Sequence, residues 1–202
     1  MKLYYSPGAC SLASHITLAE CGVEYTIERA DIRAKKTETG ADFSAISPRG
    51  AVPVLVLDGG EVLTEGVAIM QYVTDSAKPG ALPAAGSLAR ARLHEALNFI
   101  STEVHKTYSP FFRGIEGEAK AAQMALLNSR LALVEAQLSD GRTWYLGADY
   151  TPVDAYLFTV TNWSGHAGHD LSAFPHLLAL RAGIAARPAV QAAMKAEGLI
   201  KS

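Results

Sequence analysis

Tyr4-Tyr5-Ser6-Pro7-Gly8-Ala9-Cys10-Ser11 decides how this chain is read: a short apolar strand breaks at Pro7-Gly8 and delivers a cysteine to the start of a helix. Residues 2–6 form the expected strand. From Ser11 to Cys21 apolar side chains recur at Leu12, Ile16 and Ala19, and Gly22 offers a left-handed stop, so a helix follows. A helix start carries unpaired backbone N–H groups and the positive end of the peptide dipole, which together stabilise a thiolate or a bound anion at Cys10. Ser11 suits a cap there. The competing reading of Cys10 is a small buried hydrophobe, which needs no such placement.

Outward from this stretch, Glu24 to Asp31 alternates through Tyr25, Ile27 and Ala30 and predicts a second strand, parallel to the first, completing a βαβ unit. Ala51 to Leu63 holds two apolar runs around Asp58-Gly59-Gly60, the pattern of a hairpin, and Thr64-Glu65-Gly66 opens a further helix over 67–74. The order βαβ then ββα is thioredoxin-like and closes near residue 75. Ser76 to Gly86 is rich in Pro, Gly and Ala, the composition of a surface connection. Beyond Ser87 the spacing is helical, in Leu93, Leu97, Ile100, Val104 and Tyr108 and again in Met124, Leu127, Leu131, Val134 and Leu138. The predicted fold is therefore an α/β thioredoxin-like N-terminal domain over residues 1–80 and an all-α helical-bundle C-terminal domain over residues 87–202. Within the second, Thr151-Pro152-Val153-Asp154 predicts a capped helix start, with Asp154 reaching back to the Thr151 N–H. Capping accounts for Asp154 without a catalytic role.

The chain has 202 residues, 49% of them apolar, with 18 basic and 20 acidic side chains and a formal charge of −2. No like-charge block points to nucleic acid or an anionic membrane as a partner. No apolar run reads as a signal peptide or a membrane span, so a cytoplasmic protein is expected. Cys10 and Cys21 would lie about 16 Å apart on one helix, beyond disulfide reach.

Several groups carry possible chemistry. Val52-Pro53 sits where a thioredoxin-like fold enters its hairpin, a place that suits a cis bond and leaves the Val52 N–H and C=O free to pair with a peptide backbone. Glu65-Gly66 opens a helix, where backbone N–H groups suit a carboxylate and the Glu65 side chain suits an ammonium; Glu65 also reads as an acid that simply satisfies the dipole. Asn98, Thr102 and His105 are spaced to share one helical face, with Lys106 at its border, a face that is either solvated or turned to the cysteine domain. Tyr5 reads as a core aromatic or as a neighbour of the Cys10 sulfur. His166 and His169 beside Asp170 resemble a metal pair, but Gly165 and Gly168 deny them a rigid scaffold and no third ligand follows, so no metal is expected. His15, His94 and His176 read as surface or packing residues, and Cys21 as packing.

With Tyr5-Ser6-Pro7-Gly8-Ala9-Cys10-Ser11, Lys35 to Gly40, Val52-Pro53, Leu63 to Ile69, Asn98 to Lys106 and Asp154 to Phe158 together, the chain resembles the bacterial beta-class glutathione S-transferases over essentially its whole length. That resemblance implies a homodimer and glutathione as co-substrate, with no metal. It implies a glutathione site built from Cys10, Lys35, Val52, Pro53, Glu65, Gly66, Asn98, Thr102, His105 and Lys106. Cys10, Ser11, His105 and Tyr5 are the residues expected around the reacting sulfur, and Trp163 and Tyr108 the walls of the electrophile pocket. Many relatives have serine where this chain has Gly66, which leaves the backbone N–H to hold the glutamyl carboxylate.

The activity this implies is conjugation of the glutathione thiolate to small hydrophobic or halogenated electrophiles, as in detoxification. Two alternatives stay open. A monothiol disulfide reductase would use Cys10 to form a mixed disulfide with glutathione, the motif Cys10-Ser11-Leu12-Ala13 having no second cysteine. A noncatalytic carrier would hold hydrophobic ligands without turnover.

Overall fold

The structure is a computed structural model and describes residues 1–201. The described residues divide into two compact units, residues 1–82 with 186–201 and residues 83–185.

The first unit is built on a five-stranded sheet of order β3-β2-β1-β4-β5, from β1 (Lys2–Tyr5), β2 (Thr26–Asp31), β3 (Lys36–Thr37), β4 (Val54–Val56) and β5 (Val62–Thr64). β1 runs parallel to β2 and antiparallel to β4, with Leu3 opposite Ile27 on one side and Leu55 on the other. Strand alternation sends successive side chains to opposite faces. Leu3 and Tyr5 accordingly pack with Leu18, Leu55, Ile69 and Val73, the face covered by α1 (Ser11–Cys21) and α3 (Gly66–Ala77). Tyr4 turns the other way, onto Ala30, Val54 and Phe43 of the short helix α2 (Phe43–Ile46). Tyr5 packs as a core aromatic: it is 7% exposed, and burial foremost pushes its phenol pKa up.

The βαβ unit, the hairpin and the helix after Glu65 are where the spacing predicted them. Strand β3 and helix α2 were not predicted; two strand residues and one helical turn are too short to leave a period in the sequence. Gly22 closes α1 in the left-handed region at φ 67°, as expected.

The boundaries of the units differ from 1–80 and 87–202 at the C-terminal end. Helix α10 (Pro188–Ala196) packs on α1 and belongs to the first unit. Two contacts fix it there. Arg187 grips Glu20 through Nε and Nη2 at 2.5 and 2.7 Å, and Glu197 reaches the buried His15, Nδ1 to Oε1 at 2.9 Å. His15 is thus a paired core residue and not a surface one.

The second unit is helical: α4 (Leu88–Phe99), a π-helical turn over Ile100–His105, α5 (Lys106–Tyr108), a 3₁₀ turn over Ser109–Arg113, α6 (Gly117–Leu138), α7 (Pro152–Thr161), α8 (Ser164–Ala167) and α9 (Pro175–Ala185). Leu93, Leu97, Ile100, Val104 and Tyr108 of the first run and Leu127, Leu131, Val134 and Leu138 of α6 are buried as their spacing required, whereas Met124, the first of the second stripe, is only half-buried. Every residue of α7 is buried, and its start is the capped turn read from sequence. The Asp154 carboxylate accepts from the Thr151 N–H and from the Tyr145 N–H, both at 2.8 Å, so it caps α7 and also pins the loop before it.

Candidate functional site

Cys10 occupies the N-cap position of α1, half-buried, with φ −57° and ψ −20° and no side-chain cap bond. The loop before it is held from two directions. Ser11 is fully buried, its hydroxyl donating to the Ser6 carbonyl and accepting from the Ser6 N–H, both at 3.2 Å. The Gly8 N–H donates to Glu197 Oε2 at 2.9 Å. Ser11 therefore does not cap α1; its hydroxyl closes the Ser6 to Ser11 loop that presents the cysteine.

The Cys10 thiol donates to the Val52 carbonyl at 3.3 Å. Val52-Pro53 is cis, as expected, and both residues are buried. The Val52 carbonyl is thus not free as predicted, because the thiol already lies on it.

Glu65 sits at the N-cap of α3 with φ 67° and ψ 110°, and Lys35 has φ 55°. These two are the non-glycine residues with positive φ among the described residues. Such a backbone costs of order 1–3 kcal/mol at a non-glycine position and persists where surrounding structure imposes it, often at binding sites. Both residues belong to the set expected for glutathione. Gly66 opens α3 beside Pro53 and Ser14: a Cβ there would meet Pro53 Cγ at 3.5 Å and Ser14 Oγ at 3.7 Å, ordinary contacts.

In the second unit the expected polar face divides. Asn98, Thr102 and Lys106 are exposed, whereas His105 turns inward, its Nδ1 2.8 Å from the Tyr156 hydroxyl and its ring 4.9 Å from Trp163. The π turn over Ile100–His105 explains the difference, since its wider i to i+5 repeat shifts later residues around the axis relative to an α-helix. Burial foremost, then the charge of Lys106, lowers the His105 pKa to about 4, so the ring is neutral near pH 7.

Trp163 anchors an aromatic cluster, with Tyr108 at 5.9 Å and Phe112 at 5.3 Å. Tyr108 cannot wall a pocket: it is fully buried and bonded through its hydroxyl to Ser164 at 2.6 Å. Burial foremost pushes its pKa up to about 12. The accessible edge of the cluster is Phe112 stacked on His166, rings 4.6 Å apart and 13° from parallel. His169 instead meets Asn128 Oδ1 at 2.8 Å, so the two histidines diverge.

With this geometry in view, the likeness to known proteins is decisive. Family models described as the N-terminal and C-terminal domains of glutathione S-transferase match residues 8–76 and 99–188. The chain belongs to the glutathione S-transferase family. It is 46% identical to the glutathione S-transferase GstA of Escherichia coli O157:H7, covering 98% of this chain and all of that one. It is 44% identical to a sphingomonad glutathione S-transferase solved with glutathione, with a TM-score of 0.93 over 99% of this chain and all of that one. The beta-class transferase of Sphingomonas chungbukensis is 43% identical over the same shares, again at TM-score 0.93. This transferase keeps a thioredoxin-like first unit and a helical second unit, as the sequence predicted.

Sequence reasoning missed the contacts of Tyr156, Phe112 and Glu197, which join residues distant along the chain and leave no local signal.

Proposed function

We propose that this transferase conjugates the thiolate of glutathione to small hydrophobic or halogenated electrophiles, and that Cys10, Lys35, Val52, Pro53, Glu65 and Gly66 of the first unit hold the tripeptide. The observation that carries this reading is the thiol of Cys10 at the start of α1 lying on the Val52 carbonyl. In the reaction the glutathione sulfur loses its proton to solvent, attacks the carbon bearing the leaving group, and forms the C–S bond as halide departs. Lowering a thiol pKa from about 8.5 to about 6.5 takes about 2.7 kcal/mol, within the range of a helix terminus with charge-assisted hydrogen bonds. Cys10 meets the sulfur, and Ser11 shapes the loop that places Cys10.

Asn98, Thr102, His105 and Lys106 are assigned to glutathione on the family likeness. His105 contributes there as a neutral hydrogen-bonding ring, not as a cation. Trp163, Phe112 and His166 are the proposed aromatic contacts of the electrophile.

A second activity follows from the half-buried position of Cys10. Its thiolate attacks oxidised glutathione, the S–S bond breaks, one glutathione leaves as thiolate and the other stays as a mixed disulfide on Cys10. We further propose that the protein works as a cytoplasmic homodimer. Exposed apolar side chains at Leu88 (73%) and Leu133 (55%) support the dimer, and among the described residues no helix is long and apolar enough to cross a membrane.

Purified protein with glutathione and a chlorinated aromatic electrophile tests the main reading by release of chloride and appearance of the thioether. Absence of turnover across a panel of such electrophiles, with glutathione bound, rejects it. Sedimentation tests the dimer.

A further inference from the structure

We propose that Arg49 is a glutathione residue of this transferase, taking the α-carboxylate of the γ-glutamyl end while Glu65 beside it takes the ammonium. The proposal rests on the assignment of Glu65 to that end of the tripeptide. In the free protein Arg49 Nη1 lies 2.5 Å from Glu65 Oε1, and the two side chains are 67% and 68% exposed. An ion pair so open to water contributes little to folding and leaves both groups accessible to a ligand.

The pair is presented by structure built for it. Arg49 lies in the turn Ser47-Pro48-Arg49-Gly50, closed by the Gly50 N–H on the Ser47 carbonyl at 2.8 Å. The buried Ser47 hydroxyl donates to the Ala51 carbonyl at 3.0 Å and so ties that turn to the segment entering Val52. Glu65 is held from the other side by the left-handed backbone that opens α3. A cation on one rigid turn and an anion on another stand side by side, three residues from Val52 and one from Gly66.

An amino-acid head group carries the complementary arrangement, an ammonium and a carboxylate on one carbon. Laid head to tail on Arg49 and Glu65, it meets an opposite charge at each end, and the planar guanidinium presents paired donors to a carboxylate. Position 66 is glycine and offers the carboxylate only its backbone N–H, so the guanidinium supplies the side-chain donors that this position lacks. The same pairing selects against a peptide whose first residue lacks either charge.

Calorimetric titration of the whole protein with three ligands tests this: glutathione, its 4-aminobutyryl analogue without the α-carboxylate, and its glutaryl analogue without the amine. Arg49→Ala is expected to weaken glutathione and the glutaryl analogue about tenfold, and to bind the 4-aminobutyryl analogue as wild type does. Glu65→Gln is expected to weaken glutathione and the 4-aminobutyryl analogue and to leave the glutaryl analogue unchanged. Adding Gly66→Ser to Arg49→Ala is expected to recover part of the lost affinity. Unchanged or tighter glutathione binding by Arg49→Ala overturns the proposal, as does an equal loss for all three ligands. Glutathione binding by Glu65→Gln equal to wild type overturns instead the assignment of Glu65 on which the proposal stands. An unchanged thermal midpoint in each variant is expected from their exposure.

Discussion

The thiol of Cys10 donates to the carbonyl of Val52 at 3.3 Å, joining the start of α1 to the segment that enters β4 across 42 residues of sequence. The contact places the one reactive-looking sulfur of the chain against the backbone that the glutathione peptide is expected to pair with. Two different chemistries use that sulfur differently. In conjugation the nucleophile belongs to glutathione, so Cys10→Ala should lower turnover without removing it. In mixed-disulfide exchange Cys10 is itself the nucleophile. Intact-protein mass spectrometry after incubation with oxidised glutathione should show one added glutathione on wild type and none on Cys10→Ala, while the variant still conjugates. No adduct on wild type would contradict an accessible, reactive thiol.

His105 is held neutral by burial, with its pKa lowered to about 4. The unfolded chain therefore binds a proton that the native ring refuses between about pH 6.5 and pH 4, and this site's contribution to stability is lost as pH falls through that window. Its NMR titration midpoint should lie well below 6.5, and the pH profile of kcat/KM should carry no inflection from it near 6.5. A midpoint at 6.5 or above would show the ring to be solvated.

Asp154 titrates in the opposite sense. Burial foremost raises its pKa to about 6 despite the hydrogen bonds it accepts from Tyr145 and Thr151. The native state then binds the proton more readily than the unfolded chain, so wild type should gain stability relative to Asp154→Asn as pH falls from about 6 towards 4. Asp154→Ala leaves two backbone donors without their acceptor, the Thr151 cap N–H and the Tyr145 N–H, and should cost about 2–4 kcal/mol, more than a lost cap alone. Urea denaturation at pH 7 and pH 5 measures both. Equal midpoints for wild type and Asp154→Ala would remove Asp154 from any structural role.

Glu197 and His15 are both buried, their side chains 0% and 1% exposed, and Glu197 also accepts from Gly8 in the loop before Cys10. Removing one partner of a buried hydrogen bond leaves the other unsatisfied away from water, at a cost of about 1–3 kcal/mol. Glu197→Ala should therefore lower the thermal midpoint far more than Glu95→Ala, whose partner Arg92 is 64% exposed. It should also raise the rate of thiol alkylation at Cys10 as the loop loosens. Equal effects of the two substitutions would refute the pinning of that loop by the C-terminal segment.

The sequence by itself determined the elements whose signal is local. Period and punctuation placed α1 between Cys10 and Gly22, the hairpin around Asp58-Gly59-Gly60, and the start of α7 at Thr151, because strands, turns and caps each depend on a few adjacent residues. Cys10, Val52 and Glu65 were legible for the same reason, each lying at a break in its element. Tertiary structure decided what depends on contacts across the chain. It placed Tyr5 in the core and Ser11 on the Ser6 backbone, buried Tyr108, and turned His105 inward through a π turn that the side-chain sequence of residues 100–105 does not announce. It carried α10 back onto α1 through Glu197 and Arg187, partners 182 and 167 residues from His15 and Glu20. A side chain's partner at that separation is chosen by packing and burial, and no window of neighbouring residues holds that information.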